Sequence, residues 1–355
     1  METALFDFEL PEHCIAQKPL EQRDQSRLFV IDRASGKTEH TTFDQLPQFL
    51  PQQAQLIRNN ARVIKARLFA KRPHGGKVEC LLLHPGVEPT QWWCLLKPGR
   101  KLPIGATFAA PGYFEAQVLE REDTGKCLVQ FKLEPPFDSV IAMSERLGTM
   151  PLPPYIRRNA TTQQIEDSQR YQTLYANPDK QVAAASPTAG LHFTKELLAS
   201  CEEQGACFHD LTLHIGLGTF QPIQTDTLDQ HQIHREFYEI PEATRALIDT
   251  PEGKPRIAVG TTAMRAIEDY QRSKPLPKGP IQKEADIFIY PGAQFAGVDS
   301  LITNFHLPRS TLICLVSAFL CPGETDGIKW LKELYKEAIN LGYRFYSYGD
   351  AMLIL

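Results

Sequence analysis

The pattern of apolar and polar positions changes character along the chain. From Val63 to Leu133, short apolar runs alternate with loops rich in glycine and proline: Val63 to Phe69, Val78 to Leu83, Gln91 to Leu96, Phe114 to Leu119 and Cys127 to Leu133. Runs of this length, with a turn at Asp123-Thr124-Gly125, predict the strands of a small barrel or sandwich. Pro135-Pro136 and Met150-Pro151-Leu152-Pro153-Pro154-Tyr155 end this region, because clustered prolines favour extended connections and mark a domain boundary. One apolar strand, Leu28 to Ile31, precedes it. Beyond it strands alternate with helical patterns, which predicts a layered α/β domain with a partly parallel sheet.

Four strand ends stand out in the second half. Phe208 to Ile215 runs into Gly216-Leu217-Gly218-Thr219-Phe220, Ile257 to Val259 into Gly260-Thr261-Thr262, Ile287 to Tyr290 into Pro291-Gly292, and Leu301 to Phe305 into His306-Leu307-Pro308. Ligands of open α/β sheets sit outside such ends. Helices are expected from about Thr262, Ser310 and Gly327, the last with Ile328, Leu331, Leu334, Tyr335 and Ala338 on one face and Gly342 as its stop. A closing strand is expected at Tyr343 to Tyr348, before Gly349-Asp350. Between the halves lies Ser186 to Phe193, where Pro187 fixes one φ angle and Gly190 is free to take conformations closed to other residues. Thr194 then caps a helix carrying Leu197, Leu198 and Cys201, which Gly205 ends.

Composition narrows the function classes. At 355 residues, 42% hydrophobic and 23% charged, the chain is globular, with one large core or two ordinary ones. The ten-residue apolar run Leu312 to Cys321 is too short to span a membrane and reads as a buried helix. Met1 to Leu10 has acidic residues and no basic n-region, so no signal peptide is visible and a cytoplasmic protein is expected. Eight cysteines without a CxxC pair argue against a disulfide framework or a cysteine zinc site. The net charge of −4 argues against a general nucleic-acid binder, yet Arg58 to Lys101 holds ten basic residues against Glu79 and Glu88, locally +8. That run is either a solvated face or a polyanion patch. Arg23 and Arg27, around Asp24, form either a surface ion-pair cluster or a holder of phosphate or carboxylate.

Candidate chemistry follows the turns. His192, His214 and His306 each lie at or just after one, where an imidazole can reach a cleft and titrate near neutral pH. His231 and His234, three apart with Glu236 beyond, have a spacing compatible with a metal, but no third ligand is evident and a substrate-facing loop is the better reading. Arg265 lies within one helical turn of Gly260-Thr261-Thr262, where it either clamps a carboxylate or phosphate or pairs with Asp269. No GxGxxG after a strand, GxxxxGK[ST] or GxSxG occurs, which removes most support for dinucleotide enzymes, P-loop NTPases and α/β-hydrolases.

Long motifs along nearly the whole chain resemble the S-adenosylmethionine:tRNA ribosyltransferase-isomerase family of the queuosine pathway. They are Phe6 to Pro11, Arg23 to Leu28, Met150 to Ile156, Pro187 to Phe193, Thr212 to Phe220, Asp286 to Gly292, Thr303 to Pro308 and Tyr343 to Met352. The resemblance implies an α/β catalytic domain made of residues 1–61 and 150–355, with a small β-barrel inserted at 62–149. It implies transfer and isomerisation of the ribosyl part of S-adenosylmethionine onto 7-aminomethyl-7-deazaguanine at the tRNA wobble position. The products are epoxyqueuosine in tRNA, adenine and methionine. The implied partners are a tRNA anticodon loop and S-adenosylmethionine as co-substrate, with no metal, flavin or other cofactor, no membrane, and a monomer as the expected state.

Carried over by resemblance, the cleft comprises Thr188, Gly190, His192, His214, Gly216, Gly218, Thr219, Gly260, Thr261, Thr262, Arg265, Asn304 and His306. The chemistry needs a base for the C5′ proton beside the sulfonium, and His214, His192 and Glu236 are the candidates in that order. His231, His234 and Glu236 match the family's His-x-Met-His-x-Glu loop. The methionine carboxylate suits Arg265, and the sulfonium suits an aromatic wall of Phe193, Phe220 or Tyr290. Arg23, Arg27, Arg67, Lys71 and Lys97 are the expected tRNA contacts. The chain departs from the family's pattern at Ala61, Ser186, Ile233 and Ala263-Met264; the missing hydroxyl at 263 is expected beside Thr262 in the cleft. A catalytically impaired tRNA-binding paralogue and a metal-dependent hydrolase are the alternative readings.

Overall fold

The computed structural model describes residues 1–355 apart from 159–160, 215, 217–221, 251–252 and 275–278, and the side chains of 161–165. Its early strands are β1 (Arg27–Ile31), β2 (Thr38–Thr42), β3 (Gln55–Asn59) and β4 (Arg62–Val63). Next come β5 (Arg67–Lys71), β6 (Lys77–Pro85), β7 (Gln91–Lys97), β8 (Thr107–Ala110), β9 (Phe114–Arg121) and β10 (Lys126–Leu133). The later strands are β11 (Gln181–Ala183), β12 (Cys207–Leu213), β13 (Glu236–Ile240), β14 (Arg256–Val259), β15 (Ile281–Ala285), β16 (Ser300–Asn304) and β17 (Ala351–Ile354). The helices are α1 (Val140–Leu147), α2 (Thr161–Arg170), α3 (Lys195–Glu203), α4 (Glu242–Asp249), α5 (Thr261–Arg272), α6 (Thr311–Leu320) and α7 (Gly327–Asn340).

Between the barrel and sandwich expectations the structure gives a barrel. It closes in the order β10-β7-β6-β5-β8-β9, every pairing antiparallel. Alternate residues point inward, so Leu68, Val78, Cys80, Cys94, Phe108, Phe114 and Phe131 fill it. Helix α1, capped by Ser139 accepting from Ala142 N at 3.2 Å, covers one opening with Val140 and Met143.

The second body is a mixed sheet in the order β15-β13-β12-β3-β14-β16-β17-β1-β2, layered between helices. Its two faces are legible in β1, where Leu28 and Val30 pack in one core with α3 while Phe29 and Ile31 pack in the other with α5, α6 and α7. The apolar run near 312 is the buried helix α6, held at its start by Ser310 accepting from Ile313 N at 3.3 Å.

Strand direction decides where function can sit. Strands β12, β3, β14 and β16 are parallel, β13 runs against β12, and β17 with its parallel partner β1 runs against β16. The carboxyl ends of the first four and the amino ends of β1, β13 and β17 therefore line one edge. Ser26, His214, Glu236, Gly260, Asn304 and Asp350 are consequently neighbours along it, although they span the sequence.

Two expected strands are absent. Ile287 to Tyr290 is extended but unpaired, and the strand lies earlier, at β15. Tyr343 to Tyr348 is an irregular turn whose amides reach non-local carbonyls, Phe345 N to Cys14 O at 2.7 Å and Tyr346 N to Phe305 O at 3.1 Å. The closing strand is β17.

Candidate active site

The edge holds a groove in two connected parts. The first encloses about 600 Å³ of space open to solvent between Ser186, Thr188, Gly260, Asn304, His306, Tyr155 and Tyr346. The second, about 520 Å³, lies between Ile233, His234, Glu236, Arg265 and Phe288, and both share Thr261, Thr262 and Leu312. Between them stands the N-terminus of α5. Gly260 leads into it at φ +93°, a left-handed conformation open to glycine, and supplies no capping side chain. The helix therefore presents its first N–H groups and positive dipole end to the groove. The hydroxyls of Ser186 and Thr262 are buried beside it without a hydrogen-bond partner.

A buried relay fixes the first part. Thr188 Oγ1 donates to Asn304 Oδ1 at 2.8 Å, and Asn304 Nδ2 donates to His192 Nε2 at 3.1 Å. Because Nε2 accepts, the ring proton sits on Nδ1, 2.7 Å from Ser26 Oγ. Burial, with Arg344 and Arg23 nearby, pushes His192 down to about 3. His306, with Nε2 2.9 Å from Thr303 Oγ1, is also pushed down to about 3 by burial. The expectation that these two imidazoles titrate near neutrality is therefore corrected: both are neutral hydrogen-bonding elements. Gly190 is corrected too, for its φ is not left-handed; it is needed because a Cβ would lie 1.9 Å from Tyr175 Oη.

In the second part Arg265 and Glu236 hold each other, Nη1 to Oε2 at 2.5 Å. Arg265 also donates to the carbonyls of Ile287 (3.1 Å), His234 (2.8 Å) and Ala285 (3.1 Å), and Gly216 N donates to Glu236 Oε1 at 3.4 Å. Neither expected role for Arg265 fits this: Asp269 takes Lys283 and Tyr238 instead, at 2.7 and 2.9 Å. Arg265 joins β13, β15 and α5 and aims one carboxylate. His214 lies elsewhere, on the sheet face opposite α5, with Nε2 3.4 Å from Glu239, whose other oxygen takes Lys180 at 2.7 Å. Burial lowers its pKa, against the pull of Glu239. Of the three candidate bases, Glu236 alone lines the groove.

The remaining expectations divide. Gly218, Thr219 and Phe220 lie outside the described residues. Phe193 is sealed in the core, and among the described residues Tyr155, Tyr346 and Phe288 bring rings to the groove. Tyr346 adopts φ +73°, a strained conformation for an aromatic residue, and Tyr155 Oη lies 2.5 Å from Ser347 Oγ. Both were hidden in sequence, Tyr155 in a proline linker and Tyr346 in an apparent strand. Ala263 faces the core, so its missing hydroxyl is not beside Thr262 in the groove, and Ala61 is also buried. Ser186 and Ile233 are the departures that touch the groove. His231 packs edge-on to Phe288 at 5.4 Å, and among the described residues no three His, Cys, Asp or Glu side chains converge as a metal cage.

The residues expected to contact nucleic acid stand in different settings. Lys71 and Lys97 are exposed on the barrel beside Lys77. Arg67 is paired with Glu79 and donates to Leu152 O at 3.2 Å, so its charge is already met. Arg27 donates to Leu341 O at 2.5 Å, beyond the end of α7, and stacks on Tyr343. Arg23 donates to Gln172 O and Gln169 O at 2.7 and 3.1 Å.

The groove gathers residues from the segments around 155, 186–189, 233–236, 260–265, 303–307 and 346–347, and Gly190 lies just outside it. Known proteins are similar to this chain over nearly its whole length. The profile of the family described as queuosine biosynthesis protein matches residues 3–354. An S-adenosylmethionine:tRNA ribosyltransferase-isomerase from Gloeobacter violaceus is 46% identical over 99% of this chain and 96% of its own. One of the same name from Halothermothrix orenii is 45% identical over 100% of both chains. The crystal structure of S-adenosylmethionine tRNA ribosyltransferase from Thermotoga maritima matches with a TM-score of 0.54 at 35% identity, covering 99% of this chain and 100% of that one. With its profile matched from one end to the other, this chain belongs to the queuosine biosynthesis protein family.

Proposed function

We propose that the chain is an S-adenosylmethionine:tRNA ribosyltransferase-isomerase, and that the edge groove is where it acts. It moves the ribosyl group of S-adenosylmethionine to 7-aminomethyl-7-deazaguanine at the tRNA wobble position and releases adenine and methionine. The observation that carries this is the convergence of the family's separate motif segments on one groove with an uncapped helix N-terminus at its centre.

In this reading the methionine carboxylate lies against the α5 N-terminus, accepting from the hydroxyls of Ser186 and Thr262. Tyr155 and Tyr346 give the sulfonium an aromatic wall. The sulfonium acidifies the neighbouring C5′ proton, and Glu236, aimed by Arg265, removes it. Asn304, set by His192 and Thr188, holds the substrate against that base, so a small displacement costs rate. In this reading the reaction needs no metal or flavin. The departures do not favour an impaired paralogue: Ala61 and Ala263 lie in cores, and Ser186 adds a hydrogen-bonding group to the groove.

Adenine release from S-adenosylmethionine, measured with and without RNA carrying the deazaguanine, tests the reading. Release only with that RNA, undiminished by a chelator, is expected. Bound RNA without release would overturn the reading in favour of a binding protein.

A further inference from the structure

A second pocket lies on the far side of the His192 relay and shares Ser347 with the groove. Its walls include Arg23, Arg170 and Arg344 together with Ser26 and His192. Arg344 is paired with Asp350, Nη2 to Oδ1 at 3.1 Å. Arg23 and Arg170 have no carboxylate partner among the described residues. Their guanidiniums donate to backbone carbonyls, Arg23 to those of Gln169 and Gln172 and Arg170 to that of Leu20, and Arg170 Nε is buried with no partner. Carbonyl contacts fix these side chains in place but leave their charges unmatched. Half-buried like charges facing one cavity repel, and the repulsion of Arg170 is felt at Arg23. A fold gains nothing in stability from such an arrangement unless an anion enters.

We propose that this pocket binds one backbone phosphate of the RNA substrate, next to the nucleotide that enters the groove. The inference rests on the function proposed above. Planar guanidiniums with preset orientation suit a phosphodiester, which accepts on two oxygens. The position suits it as well. The relay from Ser26 through His192 and Asn304 to Thr188 separates the two pockets, so an anchored phosphate lies one buried layer from the reacting groove. Ser26 and Ser347 border the pocket with hydroxyls able to complete the oxygen contacts.

The experiment uses the full chain and an anticodon stem-loop RNA bearing the deazaguanine. Arg170→Gln keeps a donor for Leu20 O and removes the charge. RNA binding is expected to weaken about tenfold, with a salt dependence shallower by about 0.7 in logarithmic slope for the one lost contact. Arg170→Lys restores the charge and is expected to recover the slope, which a merely structural role would not do; it also provides the test if the glutamine variant folds poorly. Affinity for S-adenosylmethionine without RNA is the third readout. Its loss in Arg170→Gln, with RNA binding intact, would assign the pocket to the co-substrate carboxylate and overturn the proposal, as would an unchanged salt slope. Failure of the proposed function reads separately, as RNA binding without adenine release.

Discussion

The barrel and the sheet edge carry positive charge in opposite ways. On the barrel, Lys71, Lys77 and Lys97 stand in solvent on long flexible stems, whereas Arg67 is paired with Glu79. At the edge, Arg58, Arg265 and Arg344 are held against Asp210, Glu236 and Asp350 at 2.7, 2.5 and 3.1 Å. Lysines on a solvated skin give a diffuse attraction that salt screens. Arginines held in a fork fix geometry that salt hardly touches. We propose that the lysines serve encounter with RNA, and the paired arginines placement of groups at the edge.

The sharpest way to break this contrast is to remove an edge arginine. Arg265→Ala takes from the buried Glu236 the guanidinium that holds it, and should destabilise the fold by about 3–5 kcal/mol in urea titrations. Arg265→Lys should recover little of this, because an ammonium cannot meet Glu236 and three carbonyls together. A stability near wild type would show that the pair is not structural.

Acid provides the next test. His192 and His306 are held neutral in the fold at about 3, against an unfolded value of 6.5. Between those values the unfolded chain binds more protons, so stability falls as pH falls below 6.5, by about 2 kcal/mol per histidine between pH 7 and 5. Urea titrations at the two pH values should show this loss, and His306→Gln should remove its share. A pH-independent difference between the two proteins would contradict the buried neutral assignment.

On the barrel the effects should be smaller and ionic. Lys71→Ala and Lys97→Ala should each weaken RNA binding a few-fold and flatten its salt slope by about 0.7. Arg67→Ala should instead lower the melting temperature, because it ties β5 to the proline segment through Leu152. Equal salt slopes for all three variants would erase the distinction. The smallest effect is expected from Ala263→Ser, which restores a hydroxyl that faces the core and should leave adenine release unchanged.

How much of this was legible follows the same division. Barrel strands β6, β7, β9 and β10 could be read because one side of each meets a sealed core and the other meets water, so polarity alternates. Central strand β3 was missed, because Gln55, Arg58 and Asn59 look like loop residues. Each is satisfied sideways by β12: Gln55 by His209 at 2.8 Å, Arg58 by Asp210 at 2.7 Å, and Asn59 by the Leu213 carbonyl at 3.1 Å. The aromatic run Tyr343 to Tyr348 looked like a strand for the converse reason, its rings being buried by an irregular turn. At the site, Gly260 was found by its place at a strand end, and Thr188 and Asn304 came with the family resemblance. The roles of His192, His214 and Arg265 were not, because a side chain's role depends on which groups the sheet edge brings beside it.

We propose that the groove, with Glu236 as its base, carries the transfer. The direct test is single-turnover adenine release from S-adenosylmethionine with RNA bearing the deazaguanine, in Glu236→Gln and His214→Ala. The glutamine keeps an acceptor for Arg265 and loses the base, so release should slow about 10²–10⁴-fold with co-substrate binding retained, while His214→Ala stays close to wild type. Wild-type release by Glu236→Gln, or an equal loss in His214→Ala, would contradict the account.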